Sequence, residues 1–265
     1  MIDFEHIDKT YQESETVVFR DFTEHIERGE FVLVTGQSGS GKSTLFNMLL
    51  LDVYPDAGHI YINERDIHRV QPKGLPEYRR NFGVIFQNFR LVKYLTVKEN
   101  IEMAILAVDA PRRGSAKKIF HVAKMLGITD LLNRYPNEIS GGQQQKVCLA
   151  RAIVNNPPIL LADEPTANLD PEYSREMKKL FDVIHNQGTT LFVVTQDQIL
   201  TENTRARIIE LTPSESHMDT TALFSGGPIT ENIIDRTGHF IDEKAPEWVK
   251  NFTIGRLDDN DDFWD

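Results

Sequence analysis

One motif restricts the fold of this chain more than any other: a glycine-rich loop between an apolar run and a helix. Residues 31–35 read FVLVT, and residues 36–43 continue as GQSGSGKS. Glycines at this spacing let backbone N–H groups approach phosphate oxygens, and the start of the next helix adds positive charge. In such a loop the lysine contacts the terminal phosphates and the following hydroxyl ligates Mg²⁺. The predicted phosphate-binding residues are Gly36, Ser38, Gly39, Ser40, Gly41, Lys42, Ser43 and Thr44.

A second apolar run, residues 159–162, ends in the two acids Asp163 and Glu164. A carboxylate at the end of a buried strand suits a Mg²⁺ contact, which we assign to Asp163. The next carboxylate suits polarising an attacking water, which we assign to Glu164. A strand followed by two solvated acids is the alternative, and the phosphate loop in the same chain argues against it.

Residues 140–143 read SGGQ and precede a helical stretch. Ser140 suits the N-cap position, and Gly141 and Gly142 leave backbone amides free for an anion. A plain helix cap is the alternative, but it does not explain a second phosphate-binding turn in a chain that already has one. We therefore expect these four residues, Gln143 included, to contact a phosphate.

Two further side chains carry weaker signals. Gln87 follows the apolar residues 84–86 and can reach Mg²⁺ or the attacking water, although an ordinary surface amide has the same pattern. Tyr11 can stack on an adenine ring. A half-buried tyrosine in a strand is the alternative there.

Strand and helix patterns alternate along the chain in the order of a parallel sheet. Short strands are predicted within residues 1–30 and at 60–62, and buried strands at 31–35, 157–162 and 191–195. Helices are predicted at 43–51, within 96–154, and after Asp170, which has Pro171 in the first helical turn. The predicted fold class is therefore α/β.

Composition limits the partners. The 265 residues carry a formal net charge of −11, which argues against a nucleic-acid-binding face. No segment approaches the ~20 consecutive apolar residues of a membrane span, and the N-terminus does not resemble a signal peptide. The single cysteine, Cys148, excludes an internal disulfide and fits a reducing compartment. We expect no nucleic-acid partner, no direct membrane insertion, and contact with a membrane only through a partner.

The chain resembles the ATP-binding-cassette (ABC) ATPases in an ordered set of motifs. These are the phosphate loop, Gln87 and residues 139–143, 161–164 and 168–170. The resemblance covers about residues 1–212. It implies a P-loop NTPase fold with a RecA-like core, an antiparallel β subdomain and a helical subdomain at about 88–154. It also implies ATP and Mg²⁺ as ligands, and a homodimer in which each ATP lies between the phosphate loop of one chain and residues 140–143 of the other, with Asp170 at the interface.

Within this family, the branch of FtsE cell-division ATPases is the most similar. Its similarity rests on residues 79–91, 96–100, 136–142 and 150–157. The resemblance implies an integral membrane partner of the FtsX type, control of peptidoglycan hydrolysis, and a cytoplasmic, peripheral position on the inner face of the cell membrane. Lipoprotein-releasing and macrolide-type exporters have related cassettes and are one alternative. A nucleotide-gated scaffold with weak hydrolysis is another.

The chain departs from the family pattern at Gln196. The family usually has histidine after the last core strand, where it contacts the γ-phosphate. Glutamine can donate a neutral hydrogen bond there but carries no positive charge. We therefore predict a catalytic site in which ATP binding survives and turnover is slow. The alternative is that Gln196 fills the role adequately.

Residues 213–265 lie beyond the resemblance and form an acidic extension. They hold 12 acidic and 4 basic residues, so most of the net negative charge of the chain lies there. A disordered, solvated extension is one interpretation. A docking segment is the other, because Trp248 and Phe252 lie one helical turn apart after Pro246.

Overall fold

A computed structural model of the protein describes residues 1–11, 16–108, 114–212 and 218–219. The strands are β1 (Ile2–Tyr11), β2 (Thr16–Ile26), β3 (Phe31–Gly36), β4 (Ala57–Ile62), β5 (Arg65–Asp66), β6 (Phe82–Ile85), β7 (Ile159–Asp163), β8 (Thr190–Val194), β9 (Arg207–Leu211) and β10 (Met218–Asp219). The α-helices are α1 (Lys42–Leu49), α2 (Leu75–Arg79), α3 (Val97–Ala107), α4 (Ser115–Met125), α5 (Gly141–Ile153), α6 (Pro171–His185) and α7 (Gln198–Thr201).

A six-stranded sheet forms the centre of the fold, in the order β10-β9-β3-β8-β7-β6. The five strands from β9 to β6 pair in parallel, and β10 adds to the edge of β9 in the antiparallel sense. Parallel strands bring their carboxyl ends to one edge of a sheet, where α/β proteins bind ligands. The loop after β3, the acids that end β7 and the residues after β6 and β8 therefore meet at that edge. The expected α/β fold is confirmed.

An antiparallel sheet in the order β2-β1-β4-β5 forms a second layer. The sequence analysis expected only short strands within the first 30 residues, but β1 and β2 have 10 and 11 residues. Irregular pairing lets them continue. His6 has a positive φ of 51°, and the register shifts between Phe4 and Ile7. This bulge keeps both apolar side chains buried although an odd number of positions separates them.

The main apolar core fills the space between the two sheets. The ring of Phe4 lies 6.4 Å from that of Phe192 in β8, and Val32 and Val34 of β3 belong to the same cluster. α1 completes this layer, and α5 and α6 cover the opposite face of the parallel sheet. Successive side chains of β3 thus point alternately into the core between the sheets and towards the layer of α5 and α6. Because both faces of the parallel sheet are packed, it holds the loop at its carboxyl edge in a fixed position.

The helices α3, α4 and α5 pack on one another as the helical part of the fold. Gly83 in β6 lets α5 come close, because a Cβ there would lie 2.4 Å from the backbone oxygen of Ala152. No helix within the described residues is long and apolar enough to cross a membrane. The strand β10 continues the core sheet into the segment predicted as an extension, and the hypotheses about Trp248 and Phe252 lie outside the described residues.

Candidate functional site

The loop after β3 folds around the ammonium group of Lys42. This group donates hydrogen bonds to the backbone oxygens of Gly36 at 2.7 Å and Gln37 at 2.8 Å. Lys42 is only 6% exposed, and burial lowers its pKa while the carboxylates of Glu164 and Asp163 act in the opposite direction. The loop therefore holds a positive charge, largely removed from water, at the start of α1.

The glycines of the loop have two different roles. Gly36, Gly39 and Gly41 all have positive φ angles, of 143°, 83° and 97°. A Cβ at Gly36 would lie 2.4 Å from the backbone oxygen of Leu211, and one at Gly41 would lie 2.5 Å from the ring of Phe19. A Cβ at Gly39 would meet no described atom within 4 Å. The sequence analysis attributed these glycines to phosphate approach alone. Packing within the chain already requires two of them, and Gly39 is the one that keeps space open at the loop.

The acidic end of β7 lies beside this loop. The Ser43 hydroxyl donates to Oδ1 of Asp163 across 3.4 Å. Burial raises the pKa of Asp163, and burial likewise raises the pKa of Glu164. Hydroxyl and carboxylate oxygens are the ligands that Mg²⁺ prefers in proteins. Two of the three residues predicted to hold Mg²⁺, Ser43 and Asp163, are thus adjacent in the fold, and the third, Gln87, lines the neighbouring cleft of Glu164.

Glu164 is held in an uncommon backbone conformation at the same edge. Its φ is 46°, a region that residues with a Cβ rarely occupy. Its N–H donates to the backbone oxygen of Val194 at 2.9 Å, and its carboxylate accepts the backbone N–H of Gln196 at 3.0 Å. Backbone strain of this kind costs free energy and concentrates at functional sites. β7 and β8 together aim the carboxylate.

The three residues predicted as catalytic, Gln87, Glu164 and Gln196, line one cleft of about 400 Å³. They come from the ends of β6, β7 and β8. The other lining residues are Thr166, Ala167, Asn168, Leu169, Pro171, Ser174, Asp197 and Ile199. The hydroxyl of Thr166 is buried and has no hydrogen-bond partner among the described residues. The cleft therefore offers amide, carboxylate and hydroxyl groups around one space.

Tyr11 lies beside the start of α1. Its hydroxyl is 3.3 Å from the hydroxyl of Thr44, and Nζ of Lys9 lies 5.6 Å from the ring centroid. Tyr11 is 39% exposed, so its ring retains accessible surface. The predicted stacking role for Tyr11 is compatible with this position, and the Thr44 hydroxyl is already engaged by the protein.

Residues 140–143 form the start of α5 through a reciprocal capping box. The Ser140 hydroxyl accepts the backbone N–H of Gln143 at 3.3 Å, and the Gln143 side-chain oxygen accepts the backbone N–H of Ser140 at 2.9 Å. The N-cap prediction for Ser140 is confirmed, and Gln143 joins it in the cap. None of residues 140–143 lines the cleft of Glu164.

Gly142 is a point of close contact between α5 and α6. A Cβ there would lie 2.1 Å from the ring of Tyr173. Asp170 caps α6, the helix that carries Tyr173, because its carboxylate accepts the backbone N–H groups of Glu172 and Tyr173 at 3.0 and 3.1 Å. Sequence reasoning did not single out Tyr173, although its ring packs against Gly142 within one chain.

Two other residues missed from the sequence fix the segment that follows Gln87. Asn100 is fully buried, and its side chain bonds four backbone groups within residues 92–96. Arg151 of α5 donates to the backbone oxygens of Phe89 and Arg90 at 3.0 and 2.8 Å. The Asn100 bonds span four to eight residues within an irregular loop, whereas the Arg151 bonds span 61 and 62 residues, and no motif in the sequence marks either set of partners.

The residues at the carboxyl edge fit a nucleoside triphosphate with Mg²⁺. The hydroxyl of Ser40 is buried without a hydrogen-bond partner among the described residues, inside a loop of positive-φ glycines. Lys42 supplies the adjacent positive charge, and Ser43 with Asp163 supplies oxygen ligands. These features define a P-loop nucleotide-binding protein.

Comparison with known proteins narrows this class. Residues 19–167 match the family model described as ABC transporter. The chain is 37% identical over 211 residues to the cell division ATP-binding protein FtsE of Mycobacterium tuberculosis, covering 80% of this chain and 92% of that protein. It is 38% identical over 218 residues to an uncharacterised ABC transporter ATP-binding protein of Methanocaldococcus jannaschii, covering 81% and 97%. The ATP-binding cassette MJ0796, solved as a dimer bound to ADP and Pi, matches with a TM-score of 0.74 and 34% identity over 83% of this chain and 98% of that one. The chain belongs to the ABC transporter family, as one of its ATPase domains.

Substitution of Gly142 tests the contact with Tyr173. We expect Gly142→Ala to lower the free energy of unfolding by about 1–3 kcal/mol, because the added methyl overpacks the interface. Gly141→Ala is the matched control, since its Cβ would lie 3.5 Å from Leu169, an ordinary contact distance. Chemical denaturation measures both.

A double-mutant cycle assigns the cause. In a Tyr173→Ala background the penalty of Gly142→Ala should largely disappear, because the ring that the methyl meets is gone. An equal penalty in both backgrounds would contradict the steric explanation.

Proposed function

We propose that two copies of this chain form an ATP-hydrolysing homodimer that drives an integral membrane partner of the FtsX type in cell division. The observation that carries the proposal is the separation of two phosphate-binding elements within one chain. Lys42 and Ser43 begin α1, which packs on β3, β7 and β8 on the side of the core sheet that faces the antiparallel sheet, whereas residues 140–143 begin α5, which packs on β6 and the other helices of the helical part. A second chain would bring both elements onto one nucleotide. The dimeric state of the MJ0796 cassette supports this arrangement.

The chain's own residues divide the chemistry. Lys42 and the loop amides bind the β- and γ-phosphates of ATP. Ser43, Asp163 and Gln87 would hold Mg²⁺, which neutralises charge on the phosphate oxygens. Glu164 orients the attacking water and accepts its proton. Because burial raises the pKa of Glu164, its carboxylate is a stronger base than an exposed glutamate.

Gln196 sets the rate in this proposal. Its backbone N–H fixes the Glu164 carboxylate, and its side chain borders the same cleft. A neutral amide stabilises charge on the transferred phosphoryl group less well than an imidazolium. ATP binding therefore persists while hydrolysis is slow. A Gln196 that fills the role adequately is the alternative.

Steady-state ATP hydrolysis by the purified protein with its membrane partner separates these two cases. We expect Glu164→Gln to lower kcat about 100-fold or more, because the general base is lost. We expect Gln196→His to raise kcat roughly fivefold, from about 1 kcal/mol of added stabilisation by a charge-assisted hydrogen bond. ATP affinity should stay within twofold in both variants. No gain with Gln196→His would contradict slow turnover caused by this residue.

The membrane partner is proposed to contact residues 89–95. Tyr94 is 82% exposed there, and the Arg90 guanidinium lies 3.6 Å from the ring centroid of Phe86. Asn100 anchors this segment to α3 and Arg151 anchors it to α5, so a shift at Gln87 would move it together with the helical part. The proposal further places the protein at the cytoplasmic face of the cell membrane, where it would control peptidoglycan hydrolysis through the partner. The FtsE relatives, named as cell division ATP-binding proteins, support the cell-division role.

Two alternatives remain in view. An ATPase subunit of a lipoprotein-releasing or macrolide-type exporter would use the same site, and the 38% identity to an uncharacterised ABC transporter ATP-binding protein of M. jannaschii is compatible with a transport role. A nucleotide-gated scaffold would bind ATP and dimerise with little hydrolysis, as the neutral Gln196 permits. The kinetic experiment distinguishes the scaffold from the motor.

Charge reversal of Arg90 tests the partner contact. We expect Arg90→Glu to reduce co-purification with the membrane partner at least fivefold. The negative charge at position 90 would face either a like charge or no opposite charge on the partner, and this opposes docking. Lys73→Glu makes the same change of charge on a distant exposed turn and serves as the control. Circular dichroism spectra of both variants should match that of the wild type, which excludes a folding defect. Unchanged co-purification of Arg90→Glu would move the contact elsewhere.

A further inference from the structure

Outside the nucleotide site, two histidines and a carboxylate converge at the edge of the antiparallel sheet. His59 lies in β4, Asp66 ends β5, and His68 lies in the 3₁₀ turn that follows. Nδ1 of His59 is 3.2 Å from Oδ2 of Asp66, and Nδ1 of His68 is 3.7 Å from Oδ1. One ligand atom from each residue lies within 4.8 Å of the others. Over the described ranges, no other group of three histidine, cysteine or acidic side chains converges in this way.

The local fold holds two of these three side chains in place. Asp66 caps the turn, because its Oδ1 accepts the backbone N–H of His68 at 3.0 Å. The Asp66 side chain is 8% exposed and that of His68 is 18% exposed. The ring of Tyr54 lies 5.7 Å from that of His68 and covers it. The His59 side chain is 58% exposed, so it can adjust its position at little cost.

Hydrogen bonding within the chain does not account for His68. Its Nδ1 faces Asp66, and its buried Nε2 has no hydrogen-bond partner among the described residues. Nδ1 is therefore the His68 nitrogen that would ligate a metal beside Asp66, through the neutral imidazole.

Two other histidine–aspartate pairs lie on the same sheet and show the contrast. His6 pairs with Asp21 across 2.5 Å, with both side chains 77% exposed, and His25 pairs with Asp3. Each of these two pairs has one imidazole and one carboxylate, and in neither pair is the carboxylate as buried as that of Asp66. Within the part of the chain that the structure describes, two imidazoles face a single, largely buried carboxylate only around Asp66.

We propose that His59, Asp66 and His68 bind a divalent transition-metal ion of the zinc class. Ligand atoms around a tetrahedral Zn²⁺ with bonds of about 2.0–2.1 Å lie about 3.3 Å apart. The imidazole nitrogens of His59 and His68 lie 3.2 and 3.7 Å from Oδ2 and Oδ1 of Asp66 respectively, and one ligand atom of each residue lies within 4.8 Å of the others, so a small adjustment of the exposed His59 would bring three atoms to this spacing. Two imidazoles and one carboxylate favour zinc over Mg²⁺ or Ca²⁺, which prefer oxygen ligands throughout. Water completes the coordination. Arg69, whose Nε is 3.5 Å from Asp66, is 86% exposed and can move away as the metal binds.

The bound ion would cross-link three neighbouring segments of the antiparallel sheet. β5 is a two-residue edge strand that pairs with β4 alone. A metal shared by His59, Asp66 and His68 joins β4, β5 and the following turn at one point. Metal binding to the folded state alone raises stability by mass action. The ion would therefore stabilise the antiparallel subdomain without touching the nucleotide site.

Metal titration of the full chain tests the proposal. Protein freed of metal by a chelator, without nucleotide, is titrated with Zn²⁺ against a chromophoric indicator and separately with Co²⁺, whose visible spectrum reports tetrahedral ligation. We expect one Zn²⁺ per chain at this site. His59→Ala and Asp66→Asn should each weaken Zn²⁺ binding about tenfold or more. Removing a residue that only orients a metal ligand already costs this much affinity, so removing a ligand should cost at least as much. His59 is exposed, so its truncation leaves the fold intact.

Three control variants distinguish this site from others in the chain. His6→Ala removes a histidine of the same sheet, Asp163→Asn alters the nucleotide site, and a variant without His217 and His239 removes the histidines of the acidic extension. All three should keep the wild-type Zn²⁺ affinity, and at a fixed Zn²⁺ concentration the unfolding temperature of each should rise more than that of Asp66→Asn. Absence of stoichiometric binding, equal affinity in His59→Ala and Asp66→Asn, or loss of binding in a control variant would overturn the proposal.

Discussion

The partly buried charge of Lys42 is the constraint on which the rest of the site depends. Its ammonium group is bonded to two backbone oxygens of its own loop, and the carboxylates of Asp163 and Glu164 offset part of the cost of its burial. Such a balance needs the ends of β3 and β7 at one edge of the sheet, and parallel pairing through β8 provides this geometry. The loop glycines Gly36 and Gly41 then let the surrounding elements pack closely around the Lys42 loop.

Much of this arrangement follows from the sequence, because its motifs act locally. The loop from Gly36 to Ser43 carries its strand and helix signals with it, and the acids after residues 159–162 mark the end of a buried strand. Asp170 and Ser140 cap helices as their residue types predict. Alternation of strand and helix patterns was enough to predict the parallel core. These are features in which neighbouring residues decide the outcome.

Contacts between distant segments were not predictable in the same way. Tyr173 packs on Gly142 from another helix, and Arg151 donates to the backbone oxygens of Arg90 and Phe89, which lie 61 and 62 residues away along the chain. The bulge at His6 that lengthens β1 depends on pairing with β2 and leaves no pattern in the sequence. Likewise His59 and His68 are unremarkable until the sheet brings both to Asp66. In each case the tertiary fold selects the partner, so a single sequence gives no signal for it.

The central claim is that the phosphate loop of one chain and residues 140–143 of another share each nucleotide. Mixing two defective chains, both in a Glu164→Gln background, tests it most directly: Lys42→Ala disables the loop and Ser140→Arg disables the other element. If the site is shared, half of the composite sites in mixed dimers are intact, so the mixture should trap ATP and form ATP-dependent dimers that neither variant forms alone. If both elements of one chain serve the same nucleotide, the mixture should remain as inactive as its components, and the account would be contradicted.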